Sequence, residues 1–427
     1  MSQQKKQKTK SRTFPEVLTL LAKENARFSV NDLSAFSDLS AGNLDLLAKA
    51  WPGLSAVQKN YLFEGLYLHS QEDFVKDFSA MGFFGLKDVN PDIRRYALGL
   101  LLDCRQPSFI DLVVNVAEKD PDPDVRQAAI EILGQFVVDL ELDVLPEEAG
   151  AKTLRVLESL KDDPDQRIRW RTMEALAYMD HPLVPEMIRS ALSGENEEQL
   201  ISGLRAIQHS LNKRWADTVL EYLDHPDLDV QVEAIKAAGM IPVRQAKKAI
   251  FKLLTVFDEL DSDVLDAAIL AISQIGGAQA QEIIDELAEV FEDDEEMQEL
   301  FAVAKDNFET DEFARQFFTK EELQELFDWE DAENEVSSED EDSVEDYVSL
   351  IRERIAQLPA SDEDLDDDPA VHSHPHAHSH DHDHAHDEDD DDEESFDWDH
   401  FRIIDDISAE DDFLNDDSFW ENDKYSS

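Results

Sequence analysis

The stretch DPDPDVRQAAIEILG, residues 120–134, decides the fold. Asp122 is a candidate N-cap, and Pro123 stands at a first helical position, where its missing N–H costs no hydrogen bond. Gly134 suits either a helix stop or close helix packing. The apolar residues between them recur at a spacing that places them on one helix face: Val125, Ala128, Ala129, Ile132 and Leu133. A single helix cannot bury such a face alone, so the pattern predicts neighbours of the same kind.

The same plan recurs along the chain. A turn rich in aspartate and proline precedes a Val or Ile and a run of small apolar residues at five places: Ile93, Val125, Ile168, Val230 and Val264. The longest gap contains one degenerate unit near residues 199–204. Each unit is about 31 to 43 residues long, which is enough for two helices and two turns. A period in that range indicates stacked helical repeats.

At these residues the chain resembles the HEAT-repeat family, whose second helix begins with D-P-D-x-x-V-R-x-A-A-x-x-x-L-G. Residues 120–134 match this pattern closely. The arginine after Val or Ile is present in the first three units and is replaced in the last two: Arg94, Arg126, Arg169, Gln231 and Leu265. The resemblance implies an all-α fold, a right-handed α-solenoid (superhelix) of antiparallel helix pairs. It implies little about function, because repeat solenoids host many roles.

Composition divides the chain into five segments. A basic flexible tail, an aromatic-rich helical N-terminal cap, the HEAT-type repeats, C-terminal cap helices and a disordered acidic His-rich tail are expected in that order: residues 1–13, 14–87, 88–292, 293–329 and 330–427. The last segment lacks the apolar residues needed to offset the entropy of ordering. Within it, one apolar helix face is predicted to dock either on a partner or on the solenoid itself: Val344, Tyr347, Val348, Ile351, Ile355 and Leu358.

The net charge of −62 is uneven, because residues 328–427 contain 39 acidic and four basic residues. So acidic a chain favours a basic protein partner, or masking of its own binding face by the tail, and argues against nucleic acid. No apolar run is long enough to span a membrane and no signal peptide is recognisable, so a cytoplasmic location is expected. The single cysteine, Cys104, allows no intramolecular disulfide.

Charged residues recur within the repeats. Each of Arg94, Arg126 and Arg169 follows an aspartate at the start of its helix: Asp92, Asp124 and Asp165. The pattern predicts a ladder of Asp–Arg contacts that ties neighbouring repeats together. The carboxylates Glu131, Glu174 and Glu233 stand at repeat positions where solvated or ion-paired side chains are usual.

Eight histidines alternate with other residues in the acidic tail: His372, His374, His376, His378, His380, His382, His384 and His386. Neutral imidazole is a good ligand for Zn²⁺, Ni²⁺ and Cu²⁺, and His-x-His spacing in a flexible segment lets several nitrogens reach one ion. Adjacent carboxylates, such as Asp381 and Asp383, raise the local cation concentration. The tract therefore predicts binding of Zn or Ni, with incidental binding by a solvated low-complexity segment as the alternative.

The sequence contains no P-loop, no G-x-S-x-G and no H-E-x-x-H. It also contains no His-Glu dipeptide, which deoxyhypusine hydroxylase, a similar helical-repeat enzyme, uses as iron ligands. The repeats resemble those of phycobilin lyase subunits at V-R-x-A-A, residues 125–129.

The leading hypothesis is a non-catalytic scaffold or adaptor with no required cofactor, whose concave solenoid surface binds a protein partner. Divalent-metal buffering or delivery through the histidines and lyase-like handling of a cofactor or chromophore are the alternatives.

Overall fold

A computed structural model describes residues 12–23, 29–72, 75–102, 104–105, 107–194, 196–317 and 338–358. Within these ranges the regular secondary structure is helical. The chain begins with four helices before the first complete repeat: α1 Phe14–Leu21, α2 Val30–Leu33, α3 Ala41–Ala50 and α4 Ala56–Glu72. They enclose an aromatic core in which Phe14 meets Phe36 edge-to-face at 5.3 Å between ring centroids. Several of the aromatic residues of this region, among them Trp51, Phe63 and Phe78, are thus packing residues.

Helix pairs follow from residue 79 onward. The first helix of each pair belongs to one layer: α5 Ser79–Gly85, α7 Pro107–Lys119, α9 Glu147–Leu160, α11 Val184–Leu192, α13 Ala216–Leu220, α15 Lys247–Leu254 and α17 Ala278–Val290. The second helices form the other layer: α6 Pro91–Gly99, α8 Pro123–Glu141, α10 Gln166–Leu176, α12 Glu197–Ser210, α14 Leu228–Met240, α16 Ser262–Ile275 and α18 Glu295–Phe317. Each second helix packs against the next, from α6 through α18. This arrangement confirms the predicted all-α solenoid.

The second helices start as the sequence pattern predicts. Asp122 caps α8 by accepting hydrogen bonds from the backbone N–H groups of Asp124 and Val125. Asp165 and Asp227 cap α10 and α14 in the same way. Because these caps set the start of each helix, they also set which residues face the core.

Gly134 does not end a helix. It lies inside α8, and a Cβ at this position would stand 3.3 Å from the Cα of Ala175 on α10. Of the two predicted uses of this glycine, close helix packing is therefore the one found. Gly239 on α14 has the same role, because a Cβ there would stand 2.8 Å from the Cα of Ala271 on α16.

The arginine ladder is present, but its aspartates differ from those predicted. Arg94 donates to Asp120 at 2.9 and 2.7 Å, and Arg126 donates to Asp163. Asp120 and Asp163 each begin the turn of the following repeat, so the arginine joins two repeats. Arg169 instead donates to the carbonyl oxygens of residues 163 and 164 in its own turn. The degenerate unit that follows has no aspartate to receive it.

The turn aspartates are held in their ionised form. Burial raises the pKa of Asp163, but the hydrogen bonds and charge of Arg126, with the backbone N–H of Asp165, outweigh burial and lower it. The pKa of Asp88 is lowered in the same sense: burial raises it, whereas the backbone N–H of Asn90 and the indole N–H of Trp51, at 2.6 Å, lower it. Ionised Asp163 and Asp88 thus hold their turns against side chains of the preceding helices, Arg126 and Trp51.

The last described helix, α19 Ser338–Ile355, lies in the segment predicted as a tail. It packs against α15 and α17. Of the two alternatives for the apolar island at residues 344–358, docking on the solenoid itself is thus the one observed. The rest of that tail lies outside the described residues.

The C-terminal end of the repeats also differs from the expected boundary. Residues 293–329 are predicted as cap helices, and α18 lies among them. It packs on α16 and α17 as the second helix of a further pair.

Candidate functional site

Polar and aromatic side chains cross the second-helix layer from α4 to α14. We call this set the polar row: Tyr67, Tyr96, Glu131, Arg171, Glu174, Tyr178, Arg205, Gln208, His209, Glu233 and Lys236. Each member comes from a second helix, from α4, or from the turn after α10. The close packing of successive second helices brings side chains from different repeats into contact.

Tyrosines and one carboxylate form the first part of the polar row. The rings of Tyr67 and Tyr96 lie 5.9 Å apart. Burial raises the pKa of Tyr67, and the negative charge of Glu131 raises it further. The same two causes, in the same order, raise the pKa of Tyr178. Glu131 therefore lies near both tyrosines, and their hydroxyl groups stay protonated at neutral pH.

Tyr178 and His209 form the centre of the polar row. Their rings are stacked, with centroids 4.1 Å apart and an interplanar angle of 11°. The His209 Nδ1 lies 3.1 Å from the backbone carbonyl oxygen of Glu174. Because a carbonyl can only accept, Nδ1 carries the proton and Nε2 is left as an acceptor, 3.2 Å from the Tyr178 hydroxyl. Burial lowers the pKa of His209 although the charge of Glu174 opposes it, so the ring is neutral at pH 7.

Two buried glutamates anchor the remaining members. Glu174 is 5% exposed and accepts from Arg171 at 2.9 Å. Glu233 is also 5% exposed and is approached by Arg205 at 3.6 Å, Lys236 at 3.2 Å and Gln208 at 2.7 Å. These contacts agree with the ion-paired role predicted for both carboxylates. They also fix the positions of the cations beside the tyrosines.

The polar row offers hydrogen-bonding groups and ring faces held in place by one another. Tyr178, His209 and Arg205 are only partly buried, so part of each remains accessible. Tyrosine and arginine supply much of the binding energy at protein interfaces, and groups that are already fixed lose little entropy on binding. The arrangement therefore suits recognition of another molecule.

A small pocket lies beside this row, next to the start of α11. Its walls include His181, Arg214 and Trp215, and its volume is about 30 Å³. That is room for about two water molecules and far below the size of a drug-sized ligand site. The His181 Nε2 lies 3.1 Å from Glu158. This pocket is too small to hold a chromophore.

The residues predicted as metal ligands, His372 to His386, lie outside the described residues. In the part of the chain that the structure describes, no three or more His, Cys, Asp or Glu side chains are grouped to hold a metal ion. The same part contains no helix long and apolar enough to cross a bilayer.

Sequence reasoning missed the aromatic members of the polar row. Tyr178 follows Glu174 by four residues, in the turn directly after α10, so a helical pattern continued by two residues would have placed their side chains near each other. The stacking of Tyr178 on His209 could not be predicted from the sequence, because it depends on how two neighbouring repeats pack against each other. The proximity of Glu131 to Tyr67 likewise could not be predicted, because the two residues belong to different helices that only the stacking of repeats brings together.

Known proteins resemble the chain at the repeats. The family profile described as HEAT repeats matches residues 85–177 and 216–303. These residues are HEAT repeats. The profile skips residues 178–215, where the degenerate unit lacks the D-P-D and V-R signature. The structure nevertheless places the HEAT-like pair α11 and α12 there, between α10 and α14.

Other comparisons add little. No curated protein matches the chain. Among solved structures, the X-ray structure of YibA from E. coli is 18% identical over 67% of this chain and 98% of that one, with a TM-score of 0.37. An engineered protein is 16% identical over 79% of this chain and 98% of that one, with a TM-score of 0.31. At such scores neither similarity bears on function. The matches do not show the predicted similarity to phycobilin lyase subunits.

Proposed function

We propose that this HEAT-repeat protein is a non-catalytic scaffold that binds a protein partner on the polar row. The observation that supports this function is the stack of Tyr178 on His209, set among fixed arginine and glutamate side chains. Such a surface is rigid, amphipathic and spread over several repeats. Extended repeat surfaces of this kind are used to bind other macromolecules.

The charge of the chain favours a basic partner. The net charge is −62, and residues 1–327 alone contain 61 acidic and 34 basic residues. A field of this sign attracts positively charged proteins and speeds their association. Within the polar row, the tyrosine faces can stack with arginine.

The groups of the polar row favour binding over acid–base chemistry. The tyrosine hydroxyls are held protonated, the Tyr178 hydroxyl lies 3.2 Å from the acceptor Nε2 of His209, and Glu174 and Glu233 are paired with cations. A general base needs a pKa near the working pH and a free lone pair facing the substrate. The pairing of Glu174 and Glu233 leaves neither carboxylate poised for that role.

Affinity capture from native extract, with the full chain as bait, tests the proposal. The double variant Tyr96→Ala/Tyr178→Ala removes two partly buried rings of the polar row. The control, Tyr61→Ala, removes an exposed ring elsewhere on the N-terminal helices. We expect a defined basic protein to be captured by the wild type and by Tyr61→Ala, and to be lost with the double variant. Equal capture by all three chains would rule out the polar row as the binding surface.

Metal buffering or delivery is a second candidate, supported by the alternating histidines at residues 372–386. Neutral imidazoles bind Zn²⁺ or Ni²⁺, and protonation competes with the metal. Isothermal titration with Zn²⁺ is expected to give heat at pH 7.5 that is strongly reduced at pH 5.5. A chain with all eight histidines changed to serine is the control. Absence of heat at pH 7.5, or equal heat from the control, refutes this function.

A further inference from the structure

The helix α19 lies on the first-helix layer, across α15 and α17. Three of its apolar side chains are buried in this contact: Val344 is 3% exposed, Val348 is 4% and Ile351 is 0%. They stand at i, i+4 and i+7, which is the spacing of an amphipathic helix laid into a groove. The first-helix layer thus contains a helix-binding groove between α15 and α17.

Acidic side chains border this groove. Arg352 donates to Glu286 at 2.8 Å and to Glu282 at 2.9 Å, both on α17. Arg354 donates to Asp258 at 2.9 Å and also pairs with Glu259, in the turn after α15. We call α15, α17 and these four carboxylates the acidic groove. It recognises an apolar stripe that ends in two arginines.

The helix that occupies the acidic groove is itself acidic. Residues 338–355 contain seven acidic residues and only two basic ones. Exposed members such as Glu345, Asp346 and Glu353 add negative charge to an already acidic surface. Like charges held this close repel one another. Charge complementarity therefore favours a basic helix over α19 in the same groove.

The ion pairs that help to hold α19 are weak. The Arg352 and Arg354 side chains are 45% and 30% exposed in their ion pairs. Ion pairs in contact with water contribute little to stability and weaken further with salt. The covalent connection of α19 to the chain compensates for these weak ion pairs, because a tethered segment acts at an effective concentration on the order of millimolar. An untethered helix must bind more tightly to replace it.

We propose that the acidic groove is a docking site for a basic amphipathic helix of a partner protein, and that α19 occupies it in the free chain as a displaceable substitute. The partner helix carries apolar residues at i, i+4 and i+7, followed by arginines, with lysine or arginine on its exposed face. A second copy of this chain is disfavoured as occupant, since two bodies of net charge −62 repel each other. The site is separate from the polar row and does not depend on it.

Fluorescence anisotropy with a labelled peptide tests the proposal on the full chain. The basic probe has the sequence of residues 338–358 with lysine in place of Glu345, Asp346 and Glu353. A second peptide has the unchanged sequence. A third is the basic probe with Val348→Asn and Ile351→Asn, which destroy the apolar stripe and leave the net charge of the peptide unchanged.

Two variants of the chain separate displacement from binding. Arg352→Glu/Arg354→Glu repels α19 from the acidic groove and leaves the groove itself unchanged. Glu282→Lys/Glu286→Lys replaces two of the four carboxylates of the groove by cations and so cancels the negative charge of that set. Glu353→Gln, on the exposed side of α19, is the matched control for a change of charge on that helix. Circular dichroism and size-exclusion chromatography establish that each variant keeps its helical content and its oligomeric state.

We expect the Arg352→Glu/Arg354→Glu chain to bind the basic probe at least about tenfold more tightly than the wild type does, because the tethered competitor is removed. The Glu282→Lys/Glu286→Lys chain is expected to lose the probe, and Glu353→Gln to behave as wild type. The unchanged peptide should bind more weakly than the basic probe, and the third peptide should not bind.

Three results would overturn the proposal. One is equal affinity of wild type and Arg352→Glu/Arg354→Glu for the basic probe. Another is binding of the third peptide as tight as that of the basic probe, which would indicate attraction by charge alone. The last is a dimer formed by Arg352→Glu/Arg354→Glu, which would assign the groove to a second copy. None of these depends on the capture experiment with Tyr178, so the two proposals fail or survive separately.

Discussion

Replacing Asp266 by asparagine should stabilise the chain above pH 6. Asp266 lies on α16 and faces Asp263 of its own helix and Asp294 and Glu296 at the start of α18. Burial, followed by the negative charge of these three carboxylates, raises its pKa from 3.8 to about 6. The folded chain therefore binds a proton at this site that the unfolded chain has already released.

The sign of the effect follows from that difference. Because the folded-state pKa of Asp266 is raised, its favourable contribution is complete below about pH 4 and is lost as the pH rises through about 6. A shift of about two pKa units corresponds to about 3 kcal/mol, and screening by solvent around this half-buried side chain reduces it to about 1–1.5 kcal/mol. Asparagine at position 266 cannot ionise, so the Asp266→Asn chain should be more stable than the wild type by about 1–1.5 kcal/mol at neutral pH.

Thermal unfolding of the full chain at pH 5 and pH 8 measures the gain, and hydrogen exchange of α16 peptides locates it. The lower limit is pH 5 because the isoelectric point of about 4.2 lowers solubility below that. The control is Glu289→Gln, which removes one exposed negative charge on α17. Asp266→Asn should raise the midpoint temperature at pH 8, and by about half as much at pH 5, where only part of the shift from 3.8 to about 6 has taken effect. A gain of equal size at both pH values, or no gain at pH 8, would refute the reasoning.

Two further variants test the repeat junctions. Arg126→Met should destabilise the chain by about 2 kcal/mol, because Asp163 is left buried without its charged donor. A lowered midpoint of thermal unfolding would show this loss. An unchanged midpoint would contradict a structural role for the arginine ladder. Gly239→Ala should cost about 1–3 kcal/mol, because the new Cβ would lie 2.8 Å from the Cα of Ala271. Gly53→Ala is its control, as no atom lies within 4 Å of the added Cβ, and equal midpoints for both variants would be inconsistent with close packing at Gly239.

Much of the fold could be predicted because its signals are local. The cap at Asp122, the proline after it and the apolar stripe beginning at Val125 all lie within one helix. Recurrence of that unit implies stacking, since no single pair can bury its own stripe. The candidate site was harder to predict. Glu174 and Glu233 were recognisable as repeat carboxylates, whereas the rings beside them come from neighbouring repeats.

The sequence by itself determined where the second helices begin, which faces they bury and that they stack, because capping and helical periodicity act within a few residues. Only the tertiary structure decided that Arg126 pairs with Asp163 instead of Asp124, that Tyr178 stacks on His209, and that α19 folds back on α15 and α17. Those contacts join residues about 30 or more positions apart. Their geometry depends on the offset between stacked helices, which no local pattern encodes.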